Sequence, residues 1–383
     1  MSELPLNPGA LDGVRVIELT HAIAGPQCGQ ILADHGADVI KVEPTSGEIS
    51  RDSLPRIGKD SVYFACHNRG KRSMVLDLKS GAGLATLHSL VGTADVVLTN
   101  YAGDVPERNG WGYGALADIN PEIIMVHITG FGTTGPDRDV RALDGIIQAM
   151  SGIPEHTGTP ESGPILVAAF VADHIAAYHA ALGTLLALQR RLKTRRGEFV
   201  DINMLRGYTA VSAHAIGAAY NGEPLGRGGN KVMTALCNTF SASDGLVVIA
   251  AIGELEWSNL CAAIGRDDWV AQLPYPIAVT TAREDVEKQV NDWCSWRTRA
   301  EVVEVMRAAR VPSAPVFTID ERRLHAQRSG SDDIVEVTGP HGARIPVPGP
   351  VPKVGLSDSP GRWKVPALGA HTQEILDELA RYG

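Results

Sequence analysis

Four short runs of aliphatic and β-branched residues punctuate the first third of this chain: Val14–Leu19, Asp38–Glu43, Asp95–Thr99 and Glu122–Ile128. The first and last of the stretches between them are of helix length, and the longer middle one holds an irregular segment and Ser73–Leu78 before its helix. Gly25-Pro26 opens one helix that runs through Ile31 and Leu32, with proline at a permitted first-turn position, and another is expected near Gly83–Val91. Strands that alternate with helices in this way predict right-handed βαβ units, hence a parallel sheet and a Rossmann-like layer.

The second half reads differently. After a glycine-rich stretch at Gly226, Gly228 and Gly229, Thr239–Gly245 is expected to turn between strands, with Leu246–Ala250 as the strand that follows. Helices are expected over Leu255–Ile264 and Arg299–Ala309, making a smaller α+β region that ends near Asp320. Gly339–Pro352 has the proline and glycine content of an extended connector, and Thr372–Ala380 closes the chain as a short helix with Ile375, Leu376 and Leu379 on one face. At 383 residues with 44% hydrophobic content, two domains are expected. Their bounds are 1–205 for the large domain, 206–325 for the smaller one, and 326–383 for a linker and return to the large domain.

Net charge −9 and a pI near 5.7 argue against nucleic acid or an anionic membrane surface as the main partner. Five scattered cysteines without a CxxC pair fit free thiols in a reducing cytoplasm. The sequence has no secretory leader pattern and no run of ~18 uninterrupted apolar residues, so a soluble cytoplasmic protein is expected.

Asp173 carries the functional reading. It enters an apolar run from Ile175 to Leu188 that Arg190, Arg191, Lys193 and Gly197 close, which predicts a long helix with an acidic start and a basic end. A carboxylate there meets the positive end of the peptide dipoles and could cap the helix or serve as a nucleophile. Several other chemistries are refused. The first strand leads into Thr-His-Ala-Ile-Ala-Gly-Pro, without the G-x-G-x-x-G of a dinucleotide site, so no NAD is expected. Gly70-Lys71-Arg72 is not a P-loop, neither H-E-x-x-H nor G-x-S-x-G occurs, and no histidine stands at metal-ligand spacing, so no metal is expected.

The chain resembles the family III CoA-transferases, the group of formyl-CoA transferase, carnitine CoA-transferase and α-methylacyl-CoA racemase. The resemblance rests on Leu11-Asp12-Gly13-Val14-Arg15-Val16-Ile17-Glu18, Gly36-Ala37-Asp38-Val39, Gly70-Lys71-Arg72-Ser73, Asn100-Tyr101, Gly130-Phe131-Gly132, Asp144-Gly145, Gly197-Glu198 and Ala367–Thr372, in that order. It implies an interlocked, ring-like homodimer and a nucleophile at Asp173 that exchanges CoA between carboxylic acids through an anhydride and an aspartyl-CoA thioester. For coenzyme A it implies Ala22, Ile23 and Ala24 along the pantetheine and adenine, Leu76 and Lys79 at the adenine end, Arg108 beside the phosphates and Arg141 as another basic residue near the cofactor; Asn100 and Tyr101 lie beyond a strand end, where open α/β sheets place ligands. Asp144, Gly228 and Gly229 are implied on the substrate side, with Asp144 equally a structural cap.

Departures from the family pattern narrow the reading. The racemase branch has a histidine as second base where this chain has Leu143, which cannot move a proton, so transfer is favoured over isomerisation. A catalytically silent CoA-binding protein is the remaining alternative. Ile23 replaces a polar glutamine, and Gly226-Arg227-Gly228-Gly229 replaces a run of four glycines, which points away from formyl or oxalyl groups towards a bulkier or apolar acid.

Overall fold

Six strands, β1 (Arg15–Leu19), β2 (Asp38–Glu43), β3 (Arg72–Val75), β4 (Val96–Thr99), β5 (Ile124–Thr129) and β6 (Phe199–Asn203), form one parallel sheet in the order β3-β2-β1-β4-β5-β6. In the register, Ile17 of β1 faces Ile40 on one side and Val97 on the other. The computed structural model describes residues 9–232, 235–354 and 362–382. Strand order reverses between β1 and β4, and the carboxyl ends at such a reversal are where open α/β sheets bind ligands.

Period-two alternation feeds both faces, as a sheet covered on both sides requires. Val16, Val39, Val96, Leu98 and Val126 pack beneath α1 (Ala24–Asp34) and a later 24-residue helix, while Ile17, Ile40, Val97 and Met125 pack on the other face. That second face is covered by α3 (Gly81–Val91) and α6 (Thr372–Tyr382), the latter through Ile375, Leu376 and Leu379. Between them in sequence come α2 (Val62–Asn68), α4 (Asp144–Met150) and the long helix, α5 (Val171–Thr194).

α5 is long and apolar enough to cross a membrane by length and composition, but it lies in the core of this unit. Ala172, Ala176, Ala177, Ala180, Ala181 and Ala187 form a small-residue seam that lets it approach α1 and the sheet closely. Its carboxyl end is Arg195, in the left-handed region at φ 54°, two residues before the expected glycine stop. Gly197 serves another purpose: a Cβ there would sit 1.8 Å from the Ile123 carbonyl oxygen.

The chain divides into two compact units. One holds the described residues of Met1–Ile153, Leu166–Gly217 and Gly330–Gly383, and the other those of Pro154–Ile165 and Ala218–Ser329. The second unit is α+β. Its antiparallel sheet joins β7 (Leu236–Ala242), β8 (Gly245–Ala251) and β9 (Ser313–Pro315), packed against helices around Trp257 and Trp269, whose rings stack 5.7 Å apart. Thr239–Ala242, expected as a turn, is strand, and the reversal is confined to Ser243 and Asp244.

The expected connector at Gly339–Pro352 is also corrected. β10 (Ile334–Thr338) and β11 (Arg344–Pro348) pair antiparallel, and their inward Val337, Ile345 and Val347 pack with Phe64 of α2. A two-stranded ribbon has only edge strands, so Pro346 and Pro348 are tolerated on the outward positions of β11.

Candidate functional site

The loop that follows β1 is held peptide by peptide. The Thr20 carbonyl accepts from Lys41 Nζ at 3.1 Å. The Asn100 amide brackets the His21 peptide, accepting from its N–H at 3.0 Å and donating to its carbonyl at 2.9 Å. The Ala22 N–H donates to Glu48 Oε2 at 3.2 Å, and Ala22 itself sits in the left-handed region at φ 61°. Beneath this loop lies a charged group with no exposed side-chain surface: Glu18 pairs with Lys41 at 3.0 Å and Lys71 at 2.7 Å. Burial brings the Lys71 ammonium down to about 8, against the opposing pull of Glu18.

Asp173 stands in the first turn of α5, but it does not cap the helix. Asp144, at the start of α4, does so from outside: its Oδ1 accepts from the N–H groups of Ala172 at 2.7 Å and Asp173 at 3.3 Å. Gln148 Nε2 donates to the other oxygen of Asp144 at 2.6 Å and also bonds the carbonyls of Val167 and Ala169, tying α4 to the segment that leads into α5. The Asp173 carboxylate has no hydrogen bond or ion pair among the described residues. Burial, and then the neighbouring negative charge of Asp144, pushes its pKa up to about 7.

An aromatic seam joins α2 to the start of α5. Tyr63 meets Phe170 edge-on at 5.9 Å, and His67 meets His174 at 5.6 Å. The spacing i, i+4 on both helices aligns the two pairs. His67 Nδ1 contacts the Tyr63 carbonyl at 2.8 Å, and burial brings the ring down to about 3, so it is neutral. Burial and then Asp173 push the Tyr63 phenol up, which keeps it protonated.

The residues implied for coenzyme A are distributed unevenly. Leu76, Lys79 and Tyr101 line one cleft of about 180 Å³ together with Val42, Pro44 and Trp111, beyond the carboxyl ends of β2 and β3. Asn100 is committed at both ends of its amide to the loop backbone. Ile23 and Ala24 are buried in the core, leaving Ala22 as the more open of the three. Arg108 is exposed and paired with Asp104 at 2.7 Å, and Arg141 is exposed. Gly228 and Gly229 belong to the second unit, where the Gly229 N–H donates to the Gly158 carbonyl at 2.8 Å. Leu143, the residue before α4, is 75% exposed. Among the described residues no group of three His, Cys, Asp or Glu side chains converges as a metal site.

Sequence reasoning missed Glu48, Tyr63 and the Glu18–Lys41–Lys71 group. Alternating charges in a strand signal a solvated face, and only the second covered face of the sheet shows that Glu18 and Lys41 are inside. Glu48 lies in an irregular segment that carries no periodic signal.

The chain matches the family model of CoA-transferase family III over residues 11–372. It is 32% identical to a formyl-CoA:oxalate CoA-transferase of Rhodopseudomonas palustris, with 97% of this chain and 94% of that one covered. It is 33% identical to a succinyl-CoA:mesaconate CoA-transferase of Haloarcula hispanica, covering 97% and 96%. Among solved structures it superposes on a CaiB/BaiF family protein from Brucella suis with TM-score 0.84 and 28% identity, covering 97% of this chain and all of that one. Rv3272 from Mycobacterium tuberculosis gives TM-score 0.85 at 26% identity, covering 96% and 99%.

Proposed function

This chain belongs to CoA-transferase family III, and we propose that it moves CoA from an acyl-CoA thioester to a carboxylic acid by a covalent relay on Asp173. The observation that carries the reading is that Asp144 does the capping, which leaves the Asp173 carboxylate unpartnered at the positive end of α5. A pKa near neutrality gives a carboxyl that is about half ionised at neutral pH and, in its ionised form, more basic than an exposed one.

In the first step Asp173 Oδ attacks the thioester carbonyl and the C–S bond breaks, giving a mixed anhydride and CoA thiolate. The thiolate attacks the aspartyl carbonyl, the donor acid leaves as carboxylate, and an aspartyl-CoA thioester forms. The acceptor carboxylate then attacks that thioester and expels the thiolate again. Attack of the thiolate on the acceptor's acyl carbon releases the new acyl-CoA and restores the Asp173 carboxylate. Each step exchanges one acyl bond for another, so no external energy source is needed.

For CoA we assign the adenine end to the cleft at Leu76, Lys79 and Tyr101, the phosphates to Lys79, Arg108 and Arg141, and the pantetheine to the His21–Ala24 loop. Asp144 supports α5 from the substrate side, and Gly228 and Gly229 are assigned to the substrate. A homodimer is supported by the outward face of α5, where Tyr178, Leu182, Leu185 and Leu186 are exposed. Five free cysteines fit a cytoplasmic enzyme. The test is an acceptor screen with succinyl-CoA and acetyl-CoA as donors, read by mass spectrometry. Wild type should exchange CoA and yield a thioester on the peptide containing Asp173, and Asp173→Ala should do neither while still binding CoA. Turnover retained in Asp173→Ala would overturn the assignment.

A further inference from the structure

Ala22 is one of three described non-glycine residues with positive φ, and it lies in the loop to which the preceding section assigns the pantetheine. An alanine stays in the left-handed region only where its surroundings hold it there. Its neighbour His21 is fixed on both sides by Asn100, and the His21 carbonyl that Asn100 holds shares one planar peptide unit with the Ala22 N–H. Glu48 holds the opposite edge of that unit through the Ala22 N–H, so the peptide that enters the strained residue is fixed only when both bonds are made.

Glu48 is built for that contact. It is 7% exposed and forms the amino-terminal cap of the short 3-10 turn Ile49–Asp52. Oε2 accepts from Ala22 N at 3.2 Å and from Ser50 N at 3.1 Å, while Oε1 accepts from the Ser50 hydroxyl. Both carboxylate oxygens are therefore occupied by the protein. Its near charged and titratable neighbours are Lys41, Lys71, Glu43, His21, Tyr63 and Tyr101.

We propose that Glu48 is a positioning residue for acyl-CoA: its carboxylate ties the Ile49–Asp52 turn to the Ala22 N–H and thereby locks the His21–Ala24 loop in the conformation that takes the cofactor. It acts through Ala22 and touches neither ligand nor Asp173. This inference rests on the assignment of CoA to that loop. It makes a demand that a purely structural role for Glu48 does not: the need for Glu48 should vanish if residue 22 can adopt positive φ unaided, as glycine does.

The experiment is a four-variant set, Glu48→Ala, Glu48→Gln, Ala22→Gly and the Glu48→Ala/Ala22→Gly double variant. Each is measured by calorimetric CoA binding, KM for acyl-CoA, kcat and thermal midpoint. Glu48→Ala should weaken CoA binding and raise KM by about tenfold, the factor that one left-handed alanine corresponds to, with kcat little changed. Glu48→Gln keeps an acceptor for the Ala22 N–H and should stay within about twofold of wild type. The double variant should recover CoA affinity even where its thermal midpoint remains low.

Unchanged affinity in Glu48→Ala, or no recovery in the double variant, overturns the proposal. The transfer reading fails separately, if wild type binds CoA but exchanges nothing. The affinity series still decides the role of Glu48 in that case. Wild type that binds no CoA overturns both.

Discussion

The carboxylate of Asp144 accepts a hydrogen bond from the backbone N–H of Asp173, so two acidic residues share one helix start with separate tasks. One carries the cap, and the other is left with a side chain free of protein partners. The division also has an electrostatic price, because the cap is itself an anion that raises the pKa of its neighbour.

Removing only the charge of the cap separates these effects. Asp144→Asn keeps an oxygen for the Ala172 and Asp173 N–H groups but removes the negative neighbour, so the Asp173 pKa should fall and the acidic limb of kcat/KM should move to lower pH. Asp144→Ala leaves two N–H groups without an acceptor and should cost about 1–2 kcal/mol of stability. A pH–rate profile for the first and a denaturant titration for the second check the pair. An unmoved acidic limb in Asp144→Asn would show that burial alone sets the Asp173 pKa.

Asp173 should also mark the pH dependence of stability. With a folded pKa of about 7 against an ordinary 3.8, the folded protein holds a proton that the unfolded chain has lost between those two values. Its contribution to stability therefore falls as pH rises through that window, and the deficit is complete above the folded pKa. Asp173→Asn escapes the penalty. It should equal wild type near pH 4 and exceed it by on the order of 2 kcal/mol near pH 8, after allowance for partial solvent access. Guanidinium unfolding at the two pH values is the measurement, and a stability difference independent of pH contradicts it.

Glu18 is the only carboxylate within direct ion-pair reach of both Lys41 and Lys71 among the described residues. Glu18→Ala strands two ammonium groups in the core and should cost about 3–5 kcal/mol, visible as a lowered midpoint in urea. A loss under about 1 kcal/mol would mean that the lysines rearrange to water at little cost.

Cofactor contacts can be ranked by surroundings. Lys79 lines the apolar-walled cleft, so Lys79→Ala should raise KM for acyl-CoA by about fivefold to tenfold, and less at high salt. Arg108 is 65% exposed and already engaged by Asp104, so Arg108→Ala should change KM by about twofold at most. Steady-state kinetics at low and high ionic strength test this order, and a larger effect from Arg108 reverses it.

The parallel sheet was legible because β1, β2, β4 and β5 are aliphatic, β-branched runs, whereas β3 (Arg-Ser-Met-Val) and β6 carry no such run; α5 was legible because its apolar run is long. The β10–β11 ribbon was not, since Pro346 and Pro348 carry the signature of a connector and only the pairing of Ile345 with Val337 and Val347 with Val335 reveals a strand. At the site, Asp173 could be read as helix entry, yet that Asp144, 29 positions away, supplies the cap on its backbone is visible only in the structure. No local pattern encodes a bond of that separation. The same holds for Glu48, which reaches Ala22 across 26 positions.

The last helix has a bearing on how the protein is made. Glu378 of α6 binds Arg15 and Arg72, which open the first and third strands of the parallel sheet. A ribosome delivers those arginines hundreds of codons before their acidic partner. The inserted unit, whose residues are all earlier in the chain than Gly330, can mature while synthesis continues. The larger unit must wait, with the part of one sheet face that α3 does not cover still bare, until its own final turn emerges, so truncation of the tail should leave newborn chains prone to association even though every proposed active-site residue is already present.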